Sequence, residues 1–321
     1  MVQKVVICGA GFLGRNIAAA IARGSSFPGP PRSVQVSSRK PDRLHALLSR
    51  ELPAGAVLAP AVAADITKPD TLVPAFKDAS VVISLVGLLQ GSPAQFEAIQ
   101  WRGAENVAKA ARAVGAKLIH ISAIGADPDS NIAYWRTKAL GEEAAFEACP
   151  EATVIRPSLV FGPGDSFFNR FARLSQILPV LPVFGDGGTR FQPVYVGDIA
   201  RLTEVISRND QTIRKAVAGR IIEAGGPDIF TFKEIMELVL KYTHRYRPIV
   251  PVPWFVGKMQ GAVLERLPSN ILTLTRDQVE QLRHDNILSS PQPETHVSFE
   301  KLMFDHGERL RSVHEVLPEY L

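Results

Sequence analysis

The chain has 321 residues, 46% hydrophobic and 21% charged, ordinary proportions for one large globular body or two interleaved ones with a substantial core. Lys and Arg number 36 against 32 Asp and Glu, a formal balance of +4, and the basic residues are dispersed, which excludes nucleic acid as the first partner to consider. Two cysteines, Cys8 and Cys149, make no disulfide framework, and the scattered histidines offer no ligand spacing, so neither a disulfide scaffold nor a metal centre organises the fold.

Strands and helices alternate from the first residues. "KVVIC" (4–8) is a β-branched run and predicts a buried strand. Arg15 to Arg23 is alanine-rich and predicts a helix stopped by Gly24. "SSFPGPPR" predicts a loop, because its prolines and glycine cannot continue a helix. "SVQVS" (33–37) is the second strand, and 41–50 a helix with Pro41 in its first turn. "AVLAPAVAA" contains the third strand and "SVVISLV" (80–86) is the fourth. A long helix follows over 95–114, then a fifth strand "KLIHIS" (117–122), a helix over 132–148 and a sixth strand "ATVIRP". Such alternation predicts an α/β fold, a doubly wound parallel Rossmann sheet with helices on both faces, over residues 1–162.

Beyond residue 162 the pattern breaks into proline-rich pieces, "ILPVLPVFGDGG" and "RPIVPVPWF", between helices near 197–207, 231–242 and 276–284. Residues 163–321 are therefore expected to form a smaller cap or interaction domain, partly interleaved, with segments near 191–224 returning to the sheet. No run reaches the ~18 apolar residues of a spanning helix. The first strand begins near Lys4, leaving no room for a signal or presequence ahead of it. The expectation is a cytoplasmic chain, one imported by an internal signal, or one already trimmed.

Gly9, Gly11 and Gly14 form GxGxxG between the first strand and the first helix. Gly9 permits the tight turn, Gly11 lets the backbone approach a pyrophosphate, and Gly14 lets the helix pack on the strand. Phe12 and Leu13 open that helix, whose N-terminal amides favour an anion. After the second strand, an enzyme using NAD(H) usually places an acid for the ribose 2′-hydroxyl. Here the residues are Ser38, Arg39 and Lys40. The missing acid, with Arg39 available to a 2′-phosphate, points to NADP(H), with NAD(H) as the alternative. Arg39 and Lys40 are also compatible with plain solvated loop charges. Asp65 and Ile66 follow the third strand, where an acid can meet an adenine edge and an apolar residue can pack on the ring; Asp65 can equally cap the next helix. Gly87 falls where the chain would pass close to a cofactor, or is a simple turn glycine.

Tyr134 and Lys138 are four apart on a predicted helix and share a face. An ammonium beside a phenol lowers the phenol's pKa, and such a tyrosine can move a proton while hydride passes to or from a nicotinamide. "GAGFLG", "AADITKPD", "HISAIGA", "YWRTKALGE", "VIRPSLVFGPGD" and "FQPVYVGDIA", in that order, resemble the short-chain dehydrogenase/reductase superfamily in its extended, atypical branch. The resemblance implies that Tyr134 and Lys138 match the catalytic pair and that Pro157 and Ser158 lie beside the nicotinamide amide. Active members carry a Ser or Thr two residues beyond the first serine of the fifth strand. Here Ser122 is followed at that position by Ile124, leaving Ser122 as the available hydroxyl. Loss of such a donor costs a developing oxyanion a few kcal/mol of stabilisation, on the order of 3 kcal/mol.

A further resemblance spans nearly the whole chain. "SNIAYWRTKALGEE", "CPEATVIRPSLVFGPGDSFFNRFA" and above all "LTLTRDQVEQLRHDNI" look like the NAD(P)H-binding accessory subunits of mitochondrial respiratory complex I and their fungal relatives associated with coenzyme Q synthesis. That implies a nucleotide held for structure and a mitochondrial protein on the matrix side of the inner membrane. Its partner would be a protein complex there, the complex I or coenzyme Q machinery, with no nucleic acid and no metal. The alternative is an active NADP-dependent reductase or epimerase acting on a small carbonyl or quinone; a redox sensor or regulatory binding module is a third reading. Residues 245–268, apolar and proline-rich with Trp254, Phe255, Met259, Arg245, Arg247, Lys258 and Arg266, are too broken to span a bilayer. They suit peripheral membrane contact, a partner face or ordinary packing.

Overall fold

The computed structural model describes residues 2–24, 31–53, 55–85, 87–257, 259 and 275–321. The chain divides into two compact units, one comprising residues 1–157, 196–224 and 290–309, the other 158–195, 225–289 and 310–321. The sequence pattern groups 290–309 with the second half; in the structure it packs with the first unit.

The first unit is built on β1 (Gln3–Cys8), α1 (Phe12–Arg23), β2 (Arg32–Ser38), α2 (Asp42–Glu51), β3 (Val57–Leu58), β4 (Val62–Ala63), α3 (Leu72–Ala75) and β5 (Val81–Ser84). It continues through α4 (Pro93–Phe96), a π-helical turn (Glu97–Trp101), α5 (Arg102–Ala113), β6 (Lys117–Ile121), α6 (Ala133–Ala148) and β7 (Thr153–Pro157). Every pairing in its sheet is parallel, and the strand order is β12-β7-β6-β5-β1-β2-β3, where β12 is Ile221–Ala224; β4 also pairs with β2. The order reverses between β1 and β5, which opens a crevice at the carboxyl ends of those strands.

Val5, Val6, Ile7 and Cys8 are all buried, as a parallel strand covered on both faces requires. Val6, Cys8, Val82 and Leu118 pack with Val107 and Ala111 of α5 and Ala145 of α6. The opposite helix layer is formed by α1 against α8 (Val196–Ser207), and α9 (Gln211–Val217) follows it on the way to β12. Two elements depart from the sequence expectation. The third strand is split into β3 and β4, with Pro60 between them, since proline lacks the donor a ladder needs. The long helix expected over 95–114 begins at Pro93, behind a Ser92–Gln95 capping box, and carries the π turn before α5. Such turns bulge the helix locally and often mark functional positions.

The second unit contains β8 (Val160–Phe161), α7 (Phe168–Ile177), β9 (Leu181–Phe184), β10 (Arg190–Phe191), β11 (Val194–Tyr195), β13 (Phe230–Thr231), α10 (Phe232–Tyr242) and β14 (Ile249–Val252). Its strands pair two by two: β8 with β11, β9 with β14 and β10 with β13. An aromatic core fills it, with Phe161, Phe167, Phe168, Phe171, Phe191 and Phe232 in edge or tilted contact. The helix Arg276–Gln281 starts at a Thr275–Gln278 capping box. The residues after it are fastened to β10: Asp285 takes Arg190 Nη2 at 2.6 Å, and Asn286 N–H donates to Arg190 O.

Candidate functional site

The glycine loop leaves β1 at Gly9, whose φ of +137° suits glycine alone and where an added Cβ would stand 3.0 Å from Leu85 Cβ. Gly9 N–H donates to Ser37 O, so the loop is tied to the end of β2. Gly14, in the first turn of α1, has no space at all; its Cβ would lie 2.3 Å from Gly9 O. Gly11 is the opposite case. It caps α1 with extended backbone, and a Cβ there would meet nothing within 4 Å. Phe12 and Leu13 begin the helix and are half-buried. No acid stands in that first turn, and its unpaired amides carry the positive end of the helix dipole. A pyrophosphate fits this arrangement: donors converge, and the approach is open at the one glycine that does not pack.

At the end of β2, Ser38 Oγ is buried and has no hydrogen-bond partner. Arg39 and Lys40 beside it are exposed and form no ion pair or hydrogen bond among the described residues. Asp65 is occupied locally. Its Oδ1 accepts from Thr67 N–H at 3.0 Å and Thr67 Oγ1 at 2.8 Å, bonds that hold its carboxyl below the usual carboxylate range, with a smaller pull from Arg39. These bonds close a turn within the loop and do not cap a helix: the helical turn that follows, Pro69–Thr71, has Lys68 at its N-cap and no side-chain capping bond. Ile66 is buried, and its Cδ1 would lie 2.4 Å from a Cβ placed on Gly103 of α5. Ile66 belongs to the core cluster with Val107 and Ala108 of α5.

Tyr134 and Lys138 lie on α6, as their spacing requires. Tyr134 is half-buried with its ring edge-on to Phe96 at 6.0 Å, and desolvation pushes its phenol up to about 12. The expected lowering by Lys138 is absent. Lys138 Nζ instead donates to Ile121 O at 3.1 Å, and a Cβ on Gly87 would stand 3.2 Å from it. Gly87 thus marks a close approach between the loop after β5 and this lysine. Burial pulls Lys138 down to about 8, opposed by the charge of Glu142.

Gln100, in the π turn, is a residue the sequence patterns do not single out. Its Nε2 donates to Thr137 Oγ1 at 3.0 Å and to Tyr134 O at 3.3 Å, while its Oε1 accepts from Leu88 N–H. It joins the loop after β5 to the helix carrying the Tyr–Lys pair. Its place in the buried stripe of Phe96, Ala104 and Val107 was the available signal. Close packing completes the joint, since a Cβ on Gly141 would come within 2.3 Å of Gln100 O.

At the end of β6, Ser122 N–H donates to Ile155 O at 2.7 Å, and its Oγ is buried without a partner. Ile124 is buried, and its N–H donates to Pro157 O at 3.0 Å. The backbone at this position is tied to the end of β7, and the side chain it carries is hydrocarbon. His120, one row deeper, is buried with both ring nitrogens unpartnered; burial, and then Lys138, pull it down to about 3, so it is neutral. Pro157 ends β7. Ser158 opens the second unit with its Oγ 2.6 Å from Asn286 Oδ1 and 2.9 Å from Asn286 O, so that hydroxyl is already engaged.

In 245–268, Trp254 stacks on Phe184 (6.0 Å, 23°) and Arg247 Nε bonds Leu178 O, so these two serve packing. Arg245, Tyr246, Phe255 and Met259 are exposed. Lys258 and Arg266 lie outside the described residues. No helix among the described residues is long and apolar enough to cross a membrane.

The model of the NAD dependent epimerase/dehydratase family matches residues 5–225. A mitochondrial NADH dehydrogenase [ubiquinone] 1 alpha subcomplex subunit 9 from Arabidopsis thaliana is 30% identical over 290 residues, covering 87% of this chain and 69% of that one. A ceramide reductase from Caulobacter vibrioides is 33% identical over 198 residues, 61% of this chain and 58% of its own length. Among solved structures, Citrobacter sp. triphenylmethane reductase complexed with NADP(H) shares the fold, with a TM-score of 0.70 and 17% identity over 99% of this chain and 100% of that one. The glycine loop at the switch point, the Tyr–Lys helix and these matches lead to one assignment: the chain belongs to the NAD dependent epimerase/dehydratase family and is similar, along most of its length, to an accessory subunit of mitochondrial complex I.

Proposed function

We propose that this chain holds NADP(H) in preference to NAD(H) and works as a non-catalytic subunit or assembly factor. Its setting would be the mitochondrial respiratory complex I or coenzyme Q biosynthesis machinery, on the matrix side of the inner membrane. The observation that carries the reading is Ile124, buried where a Tyr–Lys site needs a second hydroxyl. Gly9, Gly11, Gly14 and the amides of Phe12 and Leu13 would hold the pyrophosphate. Ser38 and Arg39 would take the 2′-phosphate. Gly87, Tyr134, Lys138 and Pro157 would surround the nicotinamide end. A bound nicotinamide supplies hydride-transfer chemistry; without a fixed donor for the oxyanion, these residues bind and orient it and do little more. Similarity to the plant subunit over 87% of the chain supports the setting.

The purified protein should bind NADPH and oxidise it no faster than buffer with short-chain quinones or carbonyls. From its own cells it should migrate on native gels in a high-mass membrane assembly. Steady turnover abolished by Tyr134→Phe, with no such assembly, would overturn the reading. Exposed Tyr246, Phe255 and Met259 with Arg245 suit contact with an anionic bilayer. Cardiolipin vesicles should sediment the protein, less so at high salt or after Phe255→Asp; a protein left wholly in the supernatant removes membrane contact from the proposal.

One observation favours a second reading, an active NADP-dependent reductase or epimerase. The chain is 33% identical over 198 residues to a protein named ceramide reductase, and it keeps Ser122 with the Tyr–Lys pair.

A further inference from the structure

Gln100 is 1% exposed, yet it carries an amide where a hydrocarbon would fill the same space. A buried amide is tolerated only when its donors and acceptor meet partners in fixed directions. The bonds of Gln100 run two ways. Its Nε2 donates to Thr137 Oγ1 at 3.0 Å and to Tyr134 O at 3.3 Å, both on α6. Its Oε1 accepts from Leu88 N–H at 3.3 Å, in the loop that follows β5. An amide offers two donors and two acceptor lone pairs, so this side chain spends both donors on the helix and an acceptor on the loop.

The backbone brings these partners within reach of one side chain. Gln100 lies in the π turn Glu97–Trp101, which is wider than an α-helical turn. There the turn and α6 meet at backbone distance, since a Cβ on Gly141 would stand 2.3 Å from Gln100 O. The loop side of the joint is also close. A Cβ on Gly87 would stand 3.2 Å from Lys138 Nζ and 3.6 Å from Gln100 Oε1. Lys138 Nζ is held in turn by Ile121 O at 3.1 Å. Gly87 itself is exposed. Gln100 therefore sets the distance between an open stretch of backbone, Gly87 and Leu88, and the helix that carries Tyr134 and Lys138. The edge contact of Phe96 with the Tyr134 ring does not depend on the amide, so the helices keep an apolar contact without it.

We propose that Gln100 is a positioning residue for the nicotinamide half of the dinucleotide: it holds Gly87 and Leu88 against α6, so that this backbone and Lys138 face the same ribose and ring. This rests on the dinucleotide-binding reading above, and the tests separate the two. Gln100→Met keeps the length of the side chain and removes all of its hydrogen bonds. By calorimetry its NADPH affinity should fall about tenfold, while 2′,5′-ADP, which lacks the nicotinamide half, should bind within about twofold of the parent. A side chain needed only for folding would weaken both ligands alike or neither. Hydrogen exchange reads the joint without any ligand: the Leu88 amide should exchange at least about tenfold faster in Gln100→Met. If that variant does not fold, Thr137→Val removes one partner on α6 and leaves the bond to Leu88. It should cost NADPH about threefold in affinity and 2′,5′-ADP nothing. Equal losses for the two ligands, or an NADPH affinity equal to that of the parent, overturn the proposal. A parent that binds neither NADPH nor NADH overturns the dinucleotide reading instead, and exchange at Leu88 still decides whether Gln100 fixes the loop.

Discussion

The glycine loop and the Tyr134–Lys138 helix serve the same end of the sheet, yet they are finished to different degrees. In the loop, each glycine has its own physical role, since Gly9 and Gly14 pack against neighbours while Gly11 faces open space. At the helix, the phenol lies above its ordinary value, Lys138 bonds a backbone carbonyl, and the nearby Ile124 is a buried hydrocarbon. Binding a dinucleotide needs converging amides and room. Catalysis needs, in addition, fixed donors where charge develops. The comparison teaches that room for a dinucleotide and donors for a reaction are set by different parts of the chain, so one can be altered without the other.

The largest expected effect tests the packed side of the loop. Gly14→Ala places a methyl 2.3 Å from Gly9 O, and backbone must move to admit it. Even against alanine's better helix propensity, overpacking of this kind should cost about 2 kcal/mol and lower the melting temperature by about 5 °C, measured by calorimetry without nucleotide. An unchanged melting temperature would mean that loop and helix do not pack as described.

Gly11→Val separates fold from ligand. Nothing lies within 4 Å of the added Cβ, and the extended backbone accepts valine, so the nucleotide-free protein should melt within about 1 °C of the parent. Its NADPH affinity should drop about a hundredfold, ~2.7 kcal/mol, and the stabilisation given by excess NADPH should vanish. Retained affinity would place the pyrophosphate elsewhere.

Arg39→Asp addresses cofactor choice at an exposed guanidinium that makes no ion pair or hydrogen bond among the described residues. The parent should prefer NADPH over NADH by about tenfold, ~1.4 kcal/mol, and the variant should narrow or reverse that ratio. Equal affinities in the parent would leave Arg39 a solvated loop charge.

The smallest effect belongs to Tyr134→Phe. The ring keeps its edge contact with Phe96, and no hydrogen bond of the phenol is lost within the described structure. Stability and NADPH affinity should stay within about threefold of the parent. A larger loss in affinity would show that the hydroxyl grips the nucleotide, and lost turnover would mark it as a proton donor.

Several parts of this arrangement are legible in the linear sequence. The β-branched runs, GxGxxG between a strand and a helix, the missing acid after β2 and the i to i+4 spacing of Tyr134 and Lys138 are local patterns. Local physics is enough to read them: strand burial, glycine geometry and helix periodicity. What lies beyond reach depends on residues far apart in the chain. The packing of Ile66 is one such case, because nothing near it in the chain shows that Gly103, almost forty residues later, leaves room for it. The hydroxyl of Ser158 reads as free for a cofactor because its partner, Asn286, lies in another segment altogether.

The sequence by itself determined the alternation, the glycine loop and the placing of Tyr134 and Lys138 on one helix face, because backbone sterics and side-chain periodicity act within a few residues. Only the tertiary structure decided which of those residues are engaged. Gln100 reaches Tyr134 and Thr137 across two helices, and Glu142, Arg156, Glu223 and His296 meet from four separate segments. The reason is that burial sets the strength of a charge or a hydrogen bond, and burial is a property of the packed chain rather than of any stretch of it.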